Sequence, residues 1–134
     1  MTVAVFDAFI TEAQMEFLSP NARRDCVKFI TSDFGSILAA KKVVVETGPL
    51  SNVERPSLLE HADEYDYSNR VWEVVITEDM VSHLSKNERT SLFKDLWTSL
   101  QGVSADWGLD WNLNSKDTSV RERTRKFWIE QMNS

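Results

Sequence analysis

Residues 71–101 read VWEVVITEDMVSHLSKNERTSLFKDLWTSLQ, and they predict a strand, a tight corner and a long helix in succession. The first six residues are rich in β-branched side chains, which favours a strand over 71–76. Ser85 followed three residues later by Glu88 is a capping-box pattern. Apolar residues then recur at helical spacing, so the stretch predicts a helix over 86–101.

A similar pattern occurs nearer the N-terminus. Without gaps, residues 10–30 match residues 76–96 at eight of twenty-one positions, where about one or two matches are expected by chance. The same offset of 66 places Val5–Ile10 over Val71–Ile76. The sequence therefore suggests internal repeats, 1–66 and 67–134, related by a pseudo-twofold axis. The alternative is two unrelated helix starts, because threonine, serine, glutamate and asparagine are common there.

The other elements follow from capping residues, apolar spacing and glycine positions. Ser19 before Pro20 predicts a helix start, and Gly102 is expected to end the helix that follows Ser85. The N-terminal residues fit a strand or an amphipathic helix equally well, and the repeat favours the strand. The remaining predicted elements are helices near 12–18, 20–39, 78–84 and 119–132, and strands near 43–46 and 107–113.

Length and composition limit the fold class. The chain has 134 residues, of which 42% are apolar and only 4 are glycine and 3 proline. This is the size of one ordinary domain, with few residues left for linkers. We expect a single α+β domain over 1–134 with a central, mainly antiparallel sheet that is covered by helices.

Charge and cysteine content exclude several protein classes. The formal charge of −6 opposes general attraction to nucleic-acid phosphates. The single cysteine, Cys26, cannot form an intrachain disulfide, and its place in an apolar stripe predicts a packed thiol. No apolar run approaches the ~20 residues that span a bilayer, and the first residues lack a signal-peptide pattern. We expect a soluble, cytoplasmic protein that does not bind membranes.

Catalytic motifs are not found in the sequence. The two histidines, His61 and His83, lie in no known metal-binding or triad spacing. The four scattered glycines cannot form a phosphate-binding loop. We therefore predict no cofactor, no metal site and no catalytic residue. A small enzyme that uses His61 or His83 remains an alternative.

Basic residues provide a second alternative function. Arg23 and Arg24 lie in a corner that resembles a helix-turn-helix, and a basic cluster spans 121–126. Together they would support a nucleic-acid binder. Acidic residues share the same corner and the net charge is negative, so nucleic acid is not the expected partner.

Acidic and aromatic residues provide the preferred function. Five tryptophans are many for this length, and tryptophan is enriched where protein surfaces bind partners. We predict a non-catalytic protein-binding module of the inhibitor, immunity or adaptor type, whose partner carries a basic surface, and a homodimer is compatible with this reading. The predicted partner-binding residues are Glu60, Asp63, Glu64, Asp66, Asp106, Trp107, Asp110 and Trp111.

Overall fold

The sheet is built around one long central strand. The structure is a computed structural model, and it describes residues 2–45, 53–54 and 69–133. The elements in chain order are β1 (Thr2–Thr11), α1 (Glu12–Met15), α2 (Pro20–Ala40), β2 (Val53–Glu54), β3 (Arg70–Thr77), a 3₁₀ helix η1 (Glu78–Val81), α3 (Lys86–Trp107), β4 (Asn112–Ser115) and α4 (Thr118–Met132). β1 pairs antiparallel with β3 on one edge, and parallel with β2 and antiparallel with β4 on the other. The predicted α+β domain with a mainly antiparallel sheet is confirmed.

Helices α2 and α3 cover one face of this sheet. The ring of Phe6 on β1 stacks on Phe93 of α3, with the centroids 5.2 Å apart. On the neighbouring strand, Trp72 meets Phe34 of α2 edge to face at 4.9 Å. Every side chain from Ala4 to Ile10 is buried, as expected for a strand at the centre of a sheet. No helix in the described ranges has an apolar stretch that could cross a bilayer.

The predicted helix starts are confirmed by their capping bonds. The Ser19 hydroxyl accepts a hydrogen bond from the backbone N–H of Ala22, and Pro20 is the first residue of α2. Ser85 and Glu88 form the reciprocal capping box that starts α3. These side chains satisfy backbone N–H groups that otherwise have no partner in the helix. The two short helices, α1 and η1, end earlier than predicted.

The strand predicted near 43–46 is not observed over 43–45, and residue 46 lies outside the described residues. Lys42 adopts a left-handed conformation with φ of 56°. The backbone N–H of Val43 then donates to the carbonyl of Leu38, which completes the end of α2. Val43 is buried while Val44 is exposed. The β-branched run therefore closes a helix and does not pair in the sheet.

The strand predicted near 107–113 is wrong over its first five residues. α3 continues through Gly102 to Trp107, and Gly108 ends it in a left-handed conformation with φ of 64°. Only Gly108 has the backbone geometry of a helix C-terminus. The alternation of large apolar residues instead comes from a helix end and a buried loop. Strand β4 begins at Asn112.

Several contacts recur 66 residues apart. Arg23 pairs with Glu12 at 2.6 Å, and Arg89 pairs with Glu78 at 2.6 Å. Each arginine also donates to a carbonyl at the end of the preceding short helix, that of Met15 or Val81. The two helical corners are thus held by the same two types of contact.

The register of β1 and β3 follows the same spacing. Ala8 faces Val74, which is 66 residues further along the chain. Adding 66 to one member of a neighbouring pair and subtracting it from the other gives the pair on the opposite side. Two such pairs are Phe6 with Ile76 and Ile10 with Trp72. The relation between the halves stays a prediction, with which this register agrees.

Candidate functional site

An exposed aromatic pair lies where α2 meets the end of α3. The ring centroids of Phe29 and Trp107 are 5.4 Å apart with the planes tilted by 45°. Phe29 is 44% exposed, and Trp107 is half-buried. The pair therefore offers a fixed apolar surface to solvent, since each ring restricts the other.

Packing between the two helices holds this pair in place. The Ser99 hydroxyl of α3 donates a 2.5 Å hydrogen bond to the Asp33 carboxylate of α2. Trp107 is the last residue of α3, where the N–H of Gly108 donates to the carbonyl of Ser104. The tight helix end fixes the backbone on both sides of the indole.

Carboxylates surround the aromatic pair. Asp25, Phe29 and Asp33 are four residues apart along α2, so they share one side of that helix. Asp25, Asp106 and Asp110 are exposed. Within the described ranges, these three aspartates form no ion pair. We define the acid–aromatic patch as Asp25, Phe29, Asp33, Asp106, Trp107 and Asp110.

The structure separates the predicted partner-binding residues into three groups. Asp106, Trp107 and Asp110 lie together at the end of α3 and have accessible side chains. Trp111 is fully buried, so it cannot act as an exposed anchor. The remaining four, Glu60, Asp63, Glu64 and Asp66, lie outside the described residues.

Trp111 belongs to the core because α4 packs over it. Its indole stacks on Phe127 at 5.5 Å and meets Trp97 edge to face at 6.1 Å. Trp128 lies 5.2 Å away. Aromatic pairs in these arrangements stabilise the fold beyond the area that they bury. The expectation that Trp111 contacts a partner is therefore corrected to a structural role.

The histidine alternative gains no catalytic geometry in the described part of the chain. His83 is exposed, and its Nε2 atom lies 2.9 Å from the carbonyl oxygen of Lys41. Cys26 is fully buried, and this burial raises the pKa of its thiol, as the predicted packed thiol requires. The described residues contain no group of three or more side chains that could hold a metal ion. His61 lies outside the described residues.

The basic residues occupy two separate elements. Arg23 is engaged by Glu12, whereas Arg24 is exposed on α2. The cations of α4 are all exposed: Arg121, Arg123, Arg125 and Lys126. The Arg123 guanidinium lies 5.3 Å from the centroid of the Trp97 ring.

A buried charged cluster lies on the strands themselves. The Asp7 carboxylate is fully buried and pairs with Arg70, whose Nη1 lies 3.1 Å from Oδ1. Arg70 also pairs with Glu73 and lies over the Phe9 ring at 3.8 Å. Asn114 donates to Asp7 at 3.3 Å. Such a closed network of partners is typical of a structural ion pair.

The sequence reasoning missed Asp25, Phe29 and Asp33 as surface residues. Their spacing of four is visible in the sequence and would have placed them on one helix side. Their position beside Trp107, however, depends on how α2 packs on α3. This contact joins residues far apart in sequence, and no local pattern indicates it.

Searches of protein-family models, curated protein sequences and solved structures find no significant match to this chain.

Proposed function

We propose that this protein is a non-catalytic binding module that recognises a basic surface of another protein through the acid–aromatic patch. The observation that carries the proposal is the exposed Phe29 ring against Trp107. Large rigid aromatic side chains supply buried area at low entropic cost, and they dominate the energetics of many interfaces. The aspartates around them fit a partner that is rich in lysine and arginine.

Charge supports the same kind of partner. The chain carries a net charge of −6, and three patch aspartates are exposed without an ion pair in the described ranges. Rim carboxylates of this kind accelerate encounter with a basic surface more than they add affinity. The predicted cytoplasmic location is compatible with this role and stays a prediction.

Capture of partners from a native lysate tests the proposal when the bait is varied at one ring. Phe29→Ser removes the exposed ring, and we expect it to lose a stoichiometric protein partner that the wild type retains. Phe17→Ser is the matched control, because Phe17 is another exposed phenylalanine, 62% accessible, in the corner before α2. Equal capture by both variants and the wild type would place the interface elsewhere.

Nucleic-acid binding is the second candidate, favoured by the four exposed cations of α4. Its affinity would fall steeply with salt, because phosphate contacts release counterions. Nuclease treatment of the lysate separates the two candidates. A partner lost on nuclease treatment supports this candidate, and a partner that remains supports direct protein binding.

We further infer that the halves 1–66 and 67–134 are repeats of one unit. The matching arginine contacts in the two corners and the register around Ala8 and Val74 support this. Leu18 and Leu84, at equivalent positions, are both partly buried against the core. Superposition of β1–α2 on β3–α3 in an experimental structure tests the inference. Non-equivalent positions of Leu18 and Leu84 would contradict it.

A further inference from the structure

A groove of about 680 Å³ lies beside the first turns of α2. This volume falls in the range of small-molecule sites. The groove extends along α2 from Pro20 to Lys28, which is about 12 Å of helix. Its lining combines four apolar residues, Leu18, Pro20, Val27 and Val71, with three cations, Arg23, Arg24 and Lys28.

Two of the cations are available to a ligand. Arg24 and Lys28 are four residues apart, so they lie on the same side of α2. Both are exposed, and neither forms an ion pair or hydrogen bond in the described part of the chain. An anionic group between them would therefore displace no protein partner.

Arg23 adds a second observation at the same place. Its Nη1 donates to Glu12 at 2.6 Å and its Nη2 to the Met15 carbonyl at 3.3 Å. Its Nε is buried and has no hydrogen-bond partner. A buried donor without a partner is uncommon in proteins, so one of the residues that line the groove has unused hydrogen-bonding capacity.

The positions 66 residues further on show how a carboxylate is held beside such a helix. Thr90 corresponds to Arg24, and its hydroxyl donates to the Asp117 carboxylate at 3.2 Å. Phe93 corresponds to Val27, and its ring stacks on Phe6. The first half has the smaller valine and a stronger donor for a carboxylate in arginine.

We propose that this groove binds a small amphipathic carboxylate of the medium-chain fatty-acid class. The carboxylate lies between Arg24 and Lys28, and the alkyl chain covers Val27 and the other apolar residues of the groove. Arginine binds carboxylates through two parallel donors, and burial of each methylene adds affinity. This surface is distinct from the acid–aromatic patch, so the two proposals can fail independently.

Titration of the intact protein with sodium decanoate, followed by amide NMR below the micelle concentration, tests the site. We expect saturable shifts at Leu18, Val27 and Val71. Acetate lacks the chain and decyltrimethylammonium has the opposite charge, so neither should produce these shifts at equal concentration. Equal shifts with either probe, or none with decanoate, would overturn the proposal.

Charge removal tests the two cations directly. The double variant Arg24→Gln with Lys28→Gln should weaken decanoate binding by about tenfold or more. The matched control, Arg125→Gln with Lys126→Gln, removes the same charge from exposed positions on α4 and should bind like the wild type. All four positions are exposed, so both proteins should fold. Unchanged affinity in the Arg24 and Lys28 variant would contradict the proposed head-group site.

Discussion

Ser99 and Asp33 join α3 to α2 through a 2.5 Å hydrogen bond. Ser99 is buried and its acceptor is a carboxylate, so this bond is stronger than one between neutral groups. The same helix interface brings Phe29 against Trp107. The Ser99–Asp33 bond therefore helps to fix the geometry on which the proposed binding surface depends.

Removal of this hydroxyl should destabilise the fold measurably. We expect Ser99→Ala to lower the free energy of unfolding by about 1–2 kcal/mol, because a charge-assisted hydrogen bond is lost. Thr98→Ala is the control, since the Thr98 hydroxyl is exposed and bonds only to Lys94 of its own helix among the described contacts. Urea unfolding measures both. An equal effect of the two variants would show that the bond to Asp33 adds nothing specific.

The buried pair of Asp7 and Arg70 should be more sensitive. We expect Asp7→Ala to lower the free energy of unfolding by about 3–5 kcal/mol, because the Arg70 guanidinium loses its buried counter-charge. Glu12→Ala breaks the exposed pair with Arg23 and should cost under about 1 kcal/mol. Chemical denaturation of the two variants gives the comparison. A cost for Asp7→Ala as small as that of Glu12→Ala would argue against a structural ion pair.

Matched truncations test the repeat. Leu18 and Leu84 are partly buried and occupy equivalent positions, so Leu18→Ala and Leu84→Ala should each cost about 1–3 kcal/mol. Thermal or urea unfolding measures the two losses. If one leucine can be removed without cost, the two corners do not play the same packing role.

The thiol of Cys26 should be protected in the native protein. The side chain is fully buried and burial raises its pKa, so little reactive thiolate is available at neutral pH. We expect an aromatic disulfide reagent to label Cys26 only after denaturation. Rapid labelling of the native protein would show that α2 opens or that the thiol is accessible.

Local sequence patterns predicted most of the elements. The reciprocal Ser85 and Glu88 bonds and the Ser19–Pro20 start are formed by residues within one turn, so a short stretch contains all the necessary information. The N-terminal strand was ambiguous alone and was favoured by comparison with 71–76. Its confirmed pairing with β3 shows the value of that internal comparison.

The errors arise where tertiary packing competes with a local pattern. Val43 looks like a strand residue, but the left-handed Lys42 closes α2 and directs Val43 into the core. Trp111 looks like one face of a strand, but it lies in a loop buried under α4. The candidate site was predicted only in part, because its Phe29 half comes from a different helix.

Site-specific photo-crosslinking tests the proposed binding surface most directly. A benzoyl-phenylalanine placed at position 29 or position 17, in cells of the organism that encodes the protein, reports which proteins touch each exposed ring. The account predicts one discrete protein adduct from position 29 that is absent from position 17 and is reduced when Asp106 and Asp110 are changed to Asn. No adduct at position 29, or the same adducts from both positions, would contradict it.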